Sequence, residues 1–379
     1  MWAEISLGAI TANLRAIRRH IGTGRKVLAV VKANAYGLGA IEISRSLSRT
    51  GIDWFGVTSP SEGAELRRAG IREPILVLTG FWPGEEPSLF RWHLTPTISN
   101  AAQLVRLERA FVQSKGATAR RRYPFHLKIN SGMNRLGIAP DSVEKFALVL
   151  NKCRHLRLEG TYTHFASAED FTNPQTSEQE VVFQEALQRL RGAGVDPGMI
   201  HLANSGAICA RPTTWADMVR AGAILYGYHQ NFQPPARKRR VAAELVLRPS
   251  LALRARIIAL QSVPAGGRVG YGATFAASRP SRIAVLPAGY ADGVVRGLSN
   301  RGSVLIRGQR APIVGIVSMD LSAVDVTAIP RIAIGDIATI FGRDGDDAIE
   351  VSDAAREIGT VTSDLLCALG QRVPRIYLR

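Results

Sequence analysis

The chain has 379 residues, 46% of them hydrophobic and 21% charged, a composition of core-forming globular protein long enough for two domains. It contains no run of 18 or more apolar residues, which argues against a membrane-spanning helix. The start, Met1-Trp2-Ala3-Glu4, lacks the basic and then apolar regions of a secretory leader, so a cytoplasmic location is expected.

Lys and Arg number 48 against 31 Asp and Glu, a formal net charge of +17 that raises nucleic acid as a partner. The densest clusters, Arg120-Arg121-Arg122 and Arg237-Lys238-Arg239-Arg240, have neither interleaved aromatics nor a nucleic-acid motif around them. They read as solvated loop and linker, and no nucleic-acid function is expected. The charge does favour anionic, phosphate-bearing small molecules. Cys153, Cys209 and Cys367 lie far apart without metal-ligand spacing, so no metal site and no disulfide framework are expected.

In chain order, short apolar runs alternate with amphipathic stretches. Runs at Lys26–Val31, Trp54–Val57, Ile75–Thr79 and Leu94–Ile98 read as the first four strands, and Phe125–Ile129, Leu158–Thr163, Met199–Ala203 and Asp217–Arg220 as the next four. Between them, Ser59-Pro60 caps a helix ending at Gly70, Ser99 precedes Ala101–Phe111, Asp141 opens a helix to about Lys152, and Thr176–Arg191 is long. Eight such units predict a (β/α)8 TIM-type barrel over 1–232, with the first few residues free to pack with the second domain. A doubly wound sheet is the alternative, but no Gly-x-Gly-x-x-Gly follows the first strand.

Gln233 to Arg240 then reads as a linker. Residues 241–379 predict a smaller, mainly-β domain, with strands at Leu251–Leu260, Arg282–Leu286, Ser303–Ile306, Ile313–Val317 and Ile337–Phe341. Helical pieces follow at Ser352–Ile358 and Asp364–Leu369.

Polar residues recur at the carboxyl ends of the barrel strands, where such barrels place their chemistry. Lys32 and Tyr36 follow the first strand, Lys128 and Arg135 the fifth, His164 the sixth, Asn204 and Ser205 the seventh, and Arg220 with Gly222 the eighth. A lysine delivered by a buried strand is placed to form a Schiff base with a carbonyl cofactor, or else snorkels from the barrel rim. His164 reads equally as a satisfied barrel histidine, Arg135 as a rim ion pair, and Asn204 as a helix cap. A charged Lys128 inside a strand calls for an anionic partner.

The segment Val31-Lys32-Ala33-Asn34-Ala35-Tyr36-Gly37-Leu38-Gly39 resembles the pyridoxal-phosphate attachment motif of alanine racemases. So do Lys128 to Gly137, Tyr162-Thr163-His164-Phe165, Ala203-Asn204-Ser205 and Arg220 to Gly227. The likeness continues through Gly270-Tyr271-Gly272, Gly289-Tyr290-Ala291-Asp292-Gly293, Val317-Ser318-Met319-Asp320 and Arg372-Val373-Pro374-Arg375. The resemblance implies a fold-type III enzyme that interconverts L-alanine and D-alanine on pyridoxal 5'-phosphate and supplies D-alanine for peptidoglycan. It implies a head-to-tail homodimer in which Tyr271 and Met319 reach the partner's site.

By that resemblance Lys32 carries the cofactor and is the base on one face, with Tyr271 the base on the other. A phenol ordinarily ionises near ~10, so the second base needs a nearby cation, and the family offers His164. Arg220 faces the pyridine nitrogen with His201 behind it. Tyr36, Ser205 and the backbone of Gly222 hold the phosphate, with Asn204 adjacent. Arg135 reaches the cofactor's phenolic oxygen and the substrate carboxylate, which the Met319 amide also binds. Lys128 matches a lysine often carbamylated in this family, Tyr290 and Arg296 line the substrate entrance, and Asp320 belongs to the Met319 block.

The sequence departs from the family at Thr360-Val361-Thr362-Ser363-Asp364, where Ser363 stands in the place of a common tyrosine. It reads as a helix cap or as a roomier pocket that admits serine beside alanine. Three other readings remain: a fold-type III decarboxylase, which needs a β-domain cysteine of which Cys367 is the sole candidate; a barrel-only pyridoxal-phosphate protein without catalysis; and a basic nucleic-acid binder.

Overall fold

The computed structural model describes residues 1–114, 122–229, 232–233 and 245–379. The linker from 234 on, the cluster at 237–240 and Arg120 and Arg121 lie outside the described residues. Strand β1 (Trp2–Ser6) leads into a helix over Leu7–Ile21, where the Ser6 hydroxyl accepts from Ala9 N at 3.0 Å. Then come the eight barrel strands β2 (Lys26–Val30), β3 (Trp54–Val57), β4 (Ile75–Val77), β5 (Thr95–Ile98), β6 (Tyr123–Lys128), β7 (Leu156–Tyr162), β8 (Met199–His201) and β9 (Met218–Ala221). All are parallel; β2 to β8 pair with their sequence neighbours in turn, and β9 pairs with β2. At the remaining seam Asp217 N donates to Ile200 O and Arg220 N to Ala203 O, both at 3.0 Å. The eight runs read from the sequence are these eight strands.

Side chains on a strand alternate between its faces. Leu28, Val30, Trp54, Leu76 and Met218 form a compact apolar cluster inside the barrel. Stepping by two from these positions toward the strand ends reaches Lys32 from Val30 and Arg220 from Met218. The opposite faces pack against the helices in a much larger core. Apolar plugging below and polar groups above therefore come from one alternation.

The second part contains β10 (Leu251–Arg256), β11 (Ala259–Val263), β12 (Arg268–Val269), β13 (Phe275–Ala276), β14 (Ser281–Leu286), β15 (Ser303–Ile306), β16 (Gln309–Pro312), β17 (Ser322–Asp325), β18 (Ile337–Asp344), β19 (Asp347–Ile349) and β20 (Arg375–Leu378). One sheet runs β16-β15-β18-β10-β1-β20 with β19 on β18, a second runs β11-β14-β17, and β12 pairs with β13. The first strand of the chain thus belongs to the β part's sheet, between β10 and β20.

Two expectations fail here. Leu251–Leu260 is not one strand: Ile257 N donates to Asp336 O while Ile258 N donates to Val285 O, so the chain changes sheets between them. Ile313–Val317 is not a strand either. Ile313 makes a single bridge to Val324, and Gly315 at φ 74° turns the chain beside Val269 O, where a side chain would collide. The helix over Ala101–Gln113 is capped by Asn100 rather than Ser99, with Asn100 Oδ1 accepting from Gln103 N at 2.9 Å.

Candidate active site

Lys32 leaves β2 into a tight left-handed turn. Ala33, Asn34, Ala35 and Tyr36 all have φ between 52° and 56°, a region that costs L-residues roughly 1–2 kcal/mol each. Contacts from three directions hold it. Asn34 Oδ1 accepts from Ala40 N at 2.8 Å. Glu62, the reciprocal cap of the helix Pro60–Arg68, turns its other oxygen to Ala33 N at 2.7 Å. From β20, Arg375 donates to Gly37 O at 3.0 and 3.2 Å, and Tyr377 Oη donates to Leu38 O at 3.3 Å.

The turn places Lys32 and Tyr36 in a cavity of about 510 Å³ at the carboxyl ends of the barrel strands. Lys128, Arg135 and His164 line it, as do Asn204, Ser205, Arg220 and Gly222, and Ser363 closes one side. A larger groove of about 870 Å³ lies outside the barrel, between the helices Glu86–Arg91 and Ala101–Gln113, but it gathers none of these groups.

On one flank Ser205 Oγ accepts from Gly222 N at 3.0 Å. A Cβ on Gly222 would sit 2.8 Å from Tyr36 Oη and 3.3 Å from Ser205 Oγ, so the glycine keeps two hydroxyls and a backbone amide converged on one spot. Burial first, and then Cys367, pushes the Tyr36 phenol up to about 12, so it remains a donor. Asn204 caps the short helix Ser205–Ala210, accepting from Ala207 N at 3.1 Å, and its amide donates to Phe165 O at 3.3 Å. That arrangement suits a phosphate's oxygens.

Arg220 is buried at the end of β9. Its NH1 donates to His201 Nδ1 and to His201 O, both at 2.9 Å. Its NH2 donates to Thr163 O at 2.7 Å and Leu202 O at 2.8 Å, with His164 Nδ1 at 3.3 Å. Burial lowers the guanidinium to about 10, still fully charged near neutrality. Tyr162 stacks on His201 with ring centroids 4.6 Å apart, and Lys128 Nζ lies 5.5 Å from the same tyrosine ring.

Among the described residues, four cationic side chains, Lys32, Lys128, Arg135 and Arg220, line one cavity with a single carboxylate, Glu169. Burial, reinforced by Arg220, Arg135 and Lys32, pushes Lys128 down to about 8. Burial, then Arg220, Lys128, Arg135 and Lys32, hold His164 well below the usual imidazole range. The cavity is built for anions.

Tyr271, Tyr290, Arg296, Met319 and Asp320 do not line this cavity. They gather on one outer face of the β part. Tyr290 N donates to Ser318 O and Ala291 N to Met319 O, both at 3.0 Å. The turn bearing Tyr271 is tied through Thr274 and Asn300 to Gly315, and the Arg296 turn reaches Val317 N through Ser299 Oγ at 3.0 Å. Arg372 pins the ensemble, donating to Asp292 at 2.7 and 3.0 Å and to Asp320. Tyr271 is 74% and Met319 53% exposed.

Sequence reasoning missed Glu62, Glu169 and His126. The Ser-x-x-Glu capping spacing at Ser59 gave a signal for Glu62. His126 sits two residues before Lys128 on the same strand face, which marks it as interior.

The family profile for the alanine racemase N-terminal domain matches residues 5–230, and that for the C-terminal domain matches 250–377. The curated alanine racemase of Halothermothrix orenii is 37% identical over 376 residues, covering 99% of this chain and 96% of that protein. The solved alanine racemase of Clostridium difficile superposes with a TM-score of 0.88 at 32% identity, covering 100% and 95% of the two chains. That of Bartonella henselae, solved with covalently bound pyridoxal phosphate, gives 0.87 at 28% identity and covers 100% and 99%. On both profiles, and on this identity over nearly its whole length, the chain belongs to the alanine racemase family.

Proposed function

We propose that the chain racemises alanine at a site shared by two copies, with Lys32 and Tyr271 exchanging protons on opposite faces of the substrate's α-carbon and pyridoxal 5'-phosphate as cofactor. The convergence of Lys32, a two-hydroxyl cradle and three further cations in one cavity carries the reading. The residues present fit that cofactor: Tyr36, Ser205 and Gly222 would hold the phosphate, Arg220 would face the pyridine nitrogen, and Lys32 would take the aldehyde carbon. When bound, the cofactor supplies an electron sink that lets the Cα–H bond of alanine ionise.

The protein's part is to place proton carriers and fix charge. Lys32 Nζ takes or returns the α-proton on one face, and Tyr271 Oη does so on the other. Arg220 can only donate and keeps its proton. Facing a ring nitrogen, it would donate a hydrogen bond without giving up its proton, which would limit charge flow into the ring and favour return of the proton to the α-carbon. Arg135 and the Met319 amide orient the substrate carboxylate, and Tyr290 and Arg296 line the way in.

Lys128 is read as a carbamylation site. Its depressed pKa leaves a fraction of neutral amine near neutrality. That amine adds to the carbon of carbon dioxide and loses a proton, and the resulting anion sits among Lys32, Arg135 and Arg220. Division into a barrel domain over 1–232, whose first strand packs into the β part's sheet, and a β domain over 241–379, a head-to-tail homodimer, a cytoplasmic location and supply of D-alanine to peptidoglycan complete the reading. No helix among the described residues is long and apolar enough to cross a membrane.

Ser363 supports a second substrate. It lines the cavity at the start of the helix Thr362–Cys367, and its small side chain would leave room for the hydroxymethyl group of serine. Cys367 ends that helix, and burial raises its thiol pKa, which makes it a poor donor for decarboxylase chemistry.

Borohydride reduction of the holoprotein followed by peptide mapping tests the anchor, and the adduct is expected on Lys32. With L-alanine in D2O, deuterium should appear at the α-carbon without release of carbon dioxide. An adduct on another lysine, or carbon dioxide as product, would overturn the reading.

A further inference from the structure

Behind Arg220, on the side away from the cavity, two buried histidines and a carboxylate form a line through the barrel. Arg220 NH1 meets His201 Nδ1 at 2.9 Å, His201 Nε2 meets His126 Nδ1 at 2.9 Å, and His126 Nε2 lies 4.0 Å from Glu159 Oε2. Both rings are fully buried, and His126 Nε2 has no hydrogen-bond partner among the described residues. The other Glu159 oxygen accepts from Arg157 at 2.8 Å. The line runs from the cavity to the first half of β7.

We propose that His126 and Glu159 are positioning residues: through His201 they fix the proton arrangement that locks the Arg220 guanidinium and leaves its Nε–H as the one donor turned to the cavity. The proposal rests on the reading that Arg220 faces the cofactor's ring nitrogen.

A guanidinium has five N–H bonds and no acceptor. Four are directed at His201 Nδ1, His201 O, Thr163 O and Leu202 O, with His164 Nδ1 sharing the NH2 hydrogens at 3.3 Å. The Nε–H has no partner among the described residues. Because Arg220 can only donate, His201 Nδ1 must present its lone pair. A neutral His201 then carries its proton on Nε2 and donates to His126 Nδ1, so His126 in turn carries its proton on Nε2, aimed at Glu159. Reversing either tautomer sets two lone pairs or two N–H bonds against each other at 2.9 Å.

The surroundings keep both rings neutral. Burial, then Arg157 and Arg220, pushes His126 down to about 3, and burial with Arg220 and His126 takes His201 well below its usual range. Tyr162, stacked on His201, is engaged by Thr97 Oγ1 and donates to Leu78 O, both at 3.0 Å, and the Trp54 ring packs 5.2 Å from that of His126. Glu159 Oε2 stands 4.0 Å from the chain's terminal N–H, too far for a hydrogen bond, and acts on it through its charge as the negative end opposite the guanidinium.

Histidine-selective ¹⁵N NMR of the full-length holoprotein, which has seven histidines, reads the arrangement directly. His126 and His201 are each expected to show protonated Nε2 and bare Nδ1, with no titration from pH 5.5 to 9. Glu159→Gln should shift the His126 Nε2 signal and, by less, that of His201. Arg157→Gln, which leaves the carboxylate in place, should preserve both tautomers. Turnover of alanine by Glu159→Gln should fall roughly 3–10-fold with KM within about twofold, since the loss is in orientation rather than binding.

A proton on Nδ1 of either histidine, or unchanged signals in Glu159→Gln, would overturn the proposal. If the tautomers are as stated but removing pyridoxal phosphate leaves the His201 signal unmoved, the relay stands and the placement of Arg220 against the cofactor falls.

Discussion

Lys128 shows how one misplaced charge records a site's purpose. A lysine pushed down to about 8 from its ordinary 10.5 holds fewer protons folded than unfolded between those values. Its cost to stability is therefore complete below about pH 8 and is relieved as pH rises toward 10.5. In buffer freed of carbon dioxide, Lys128→Met is expected to raise stability at pH 7 by roughly 1–3 kcal/mol and to flatten the rise between pH 8 and 10, as read by urea unfolding. Labelled bicarbonate should give a carbamate signal in the parent protein and none in this variant. Ser363 carries the second residue-scale prediction. Ser363→Tyr should lower kcat/KM for L-serine by about 10-fold while leaving alanine within about threefold. Equal losses on both substrates would remove Ser363 from the side-chain pocket.

At the scale of elements, the barrel reads out of the sequence because two periodicities coincide. Strand alternation places Leu28 and Val30 in the barrel interior and Lys32 above them, and Met218 below Arg220. The cap at Ser59 was equally plain. What did not read out depends on contacts distant in sequence. Nothing in Ala33-Asn34-Ala35-Tyr36 announces four left-handed residues in a row; Glu62, Arg375 and Tyr377 impose them. The strand break at Ile257 and the turn at Gly315 were likewise set by β14, by Asp336 and by Val269.

Gly39, at φ 106°, lies where a side chain would run into the Tyr377 hydroxyl. Gly39→Ala is expected to destabilise the fold by about 2 kcal/mol or more and to weaken cofactor retention, measurable by denaturant unfolding and by absorbance after gel filtration. The Arg372 latch belongs to the same scale. Arg372→Lys cannot span Asp292 and Asp320 with a planar fork. It should raise KM for alanine several-fold while leaving the borohydride adduct on Lys32 unchanged. A loss of the adduct would show that the latch supports more than the face bearing Tyr290 and Met319.

At the scale of the whole molecule, the proposed function divides the site between two parts of the chain. The barrel mouth gathers cations and a hydroxyl cradle. The β part leaves Tyr271 and Met319 exposed, and neither lines that mouth. The net charge of +17 that first raised nucleic acid is answered in part by this anion-receiving cavity. Two copies set head to tail would complete two sites, each with Lys32 from one subunit and Tyr271 from the other.

Complementation tests this claim most directly. Lys32→Ala and Tyr271→Phe subunits, each inactive alone, are dissociated, mixed in equal amounts and reassembled. A shared site predicts that each mixed dimer holds one intact site, so alanine racemisation should return to about a quarter of the parent's specific activity after random pairing. A mixture no more active than the two variants assayed separately would contradict the account, because it would place both bases on the same chain.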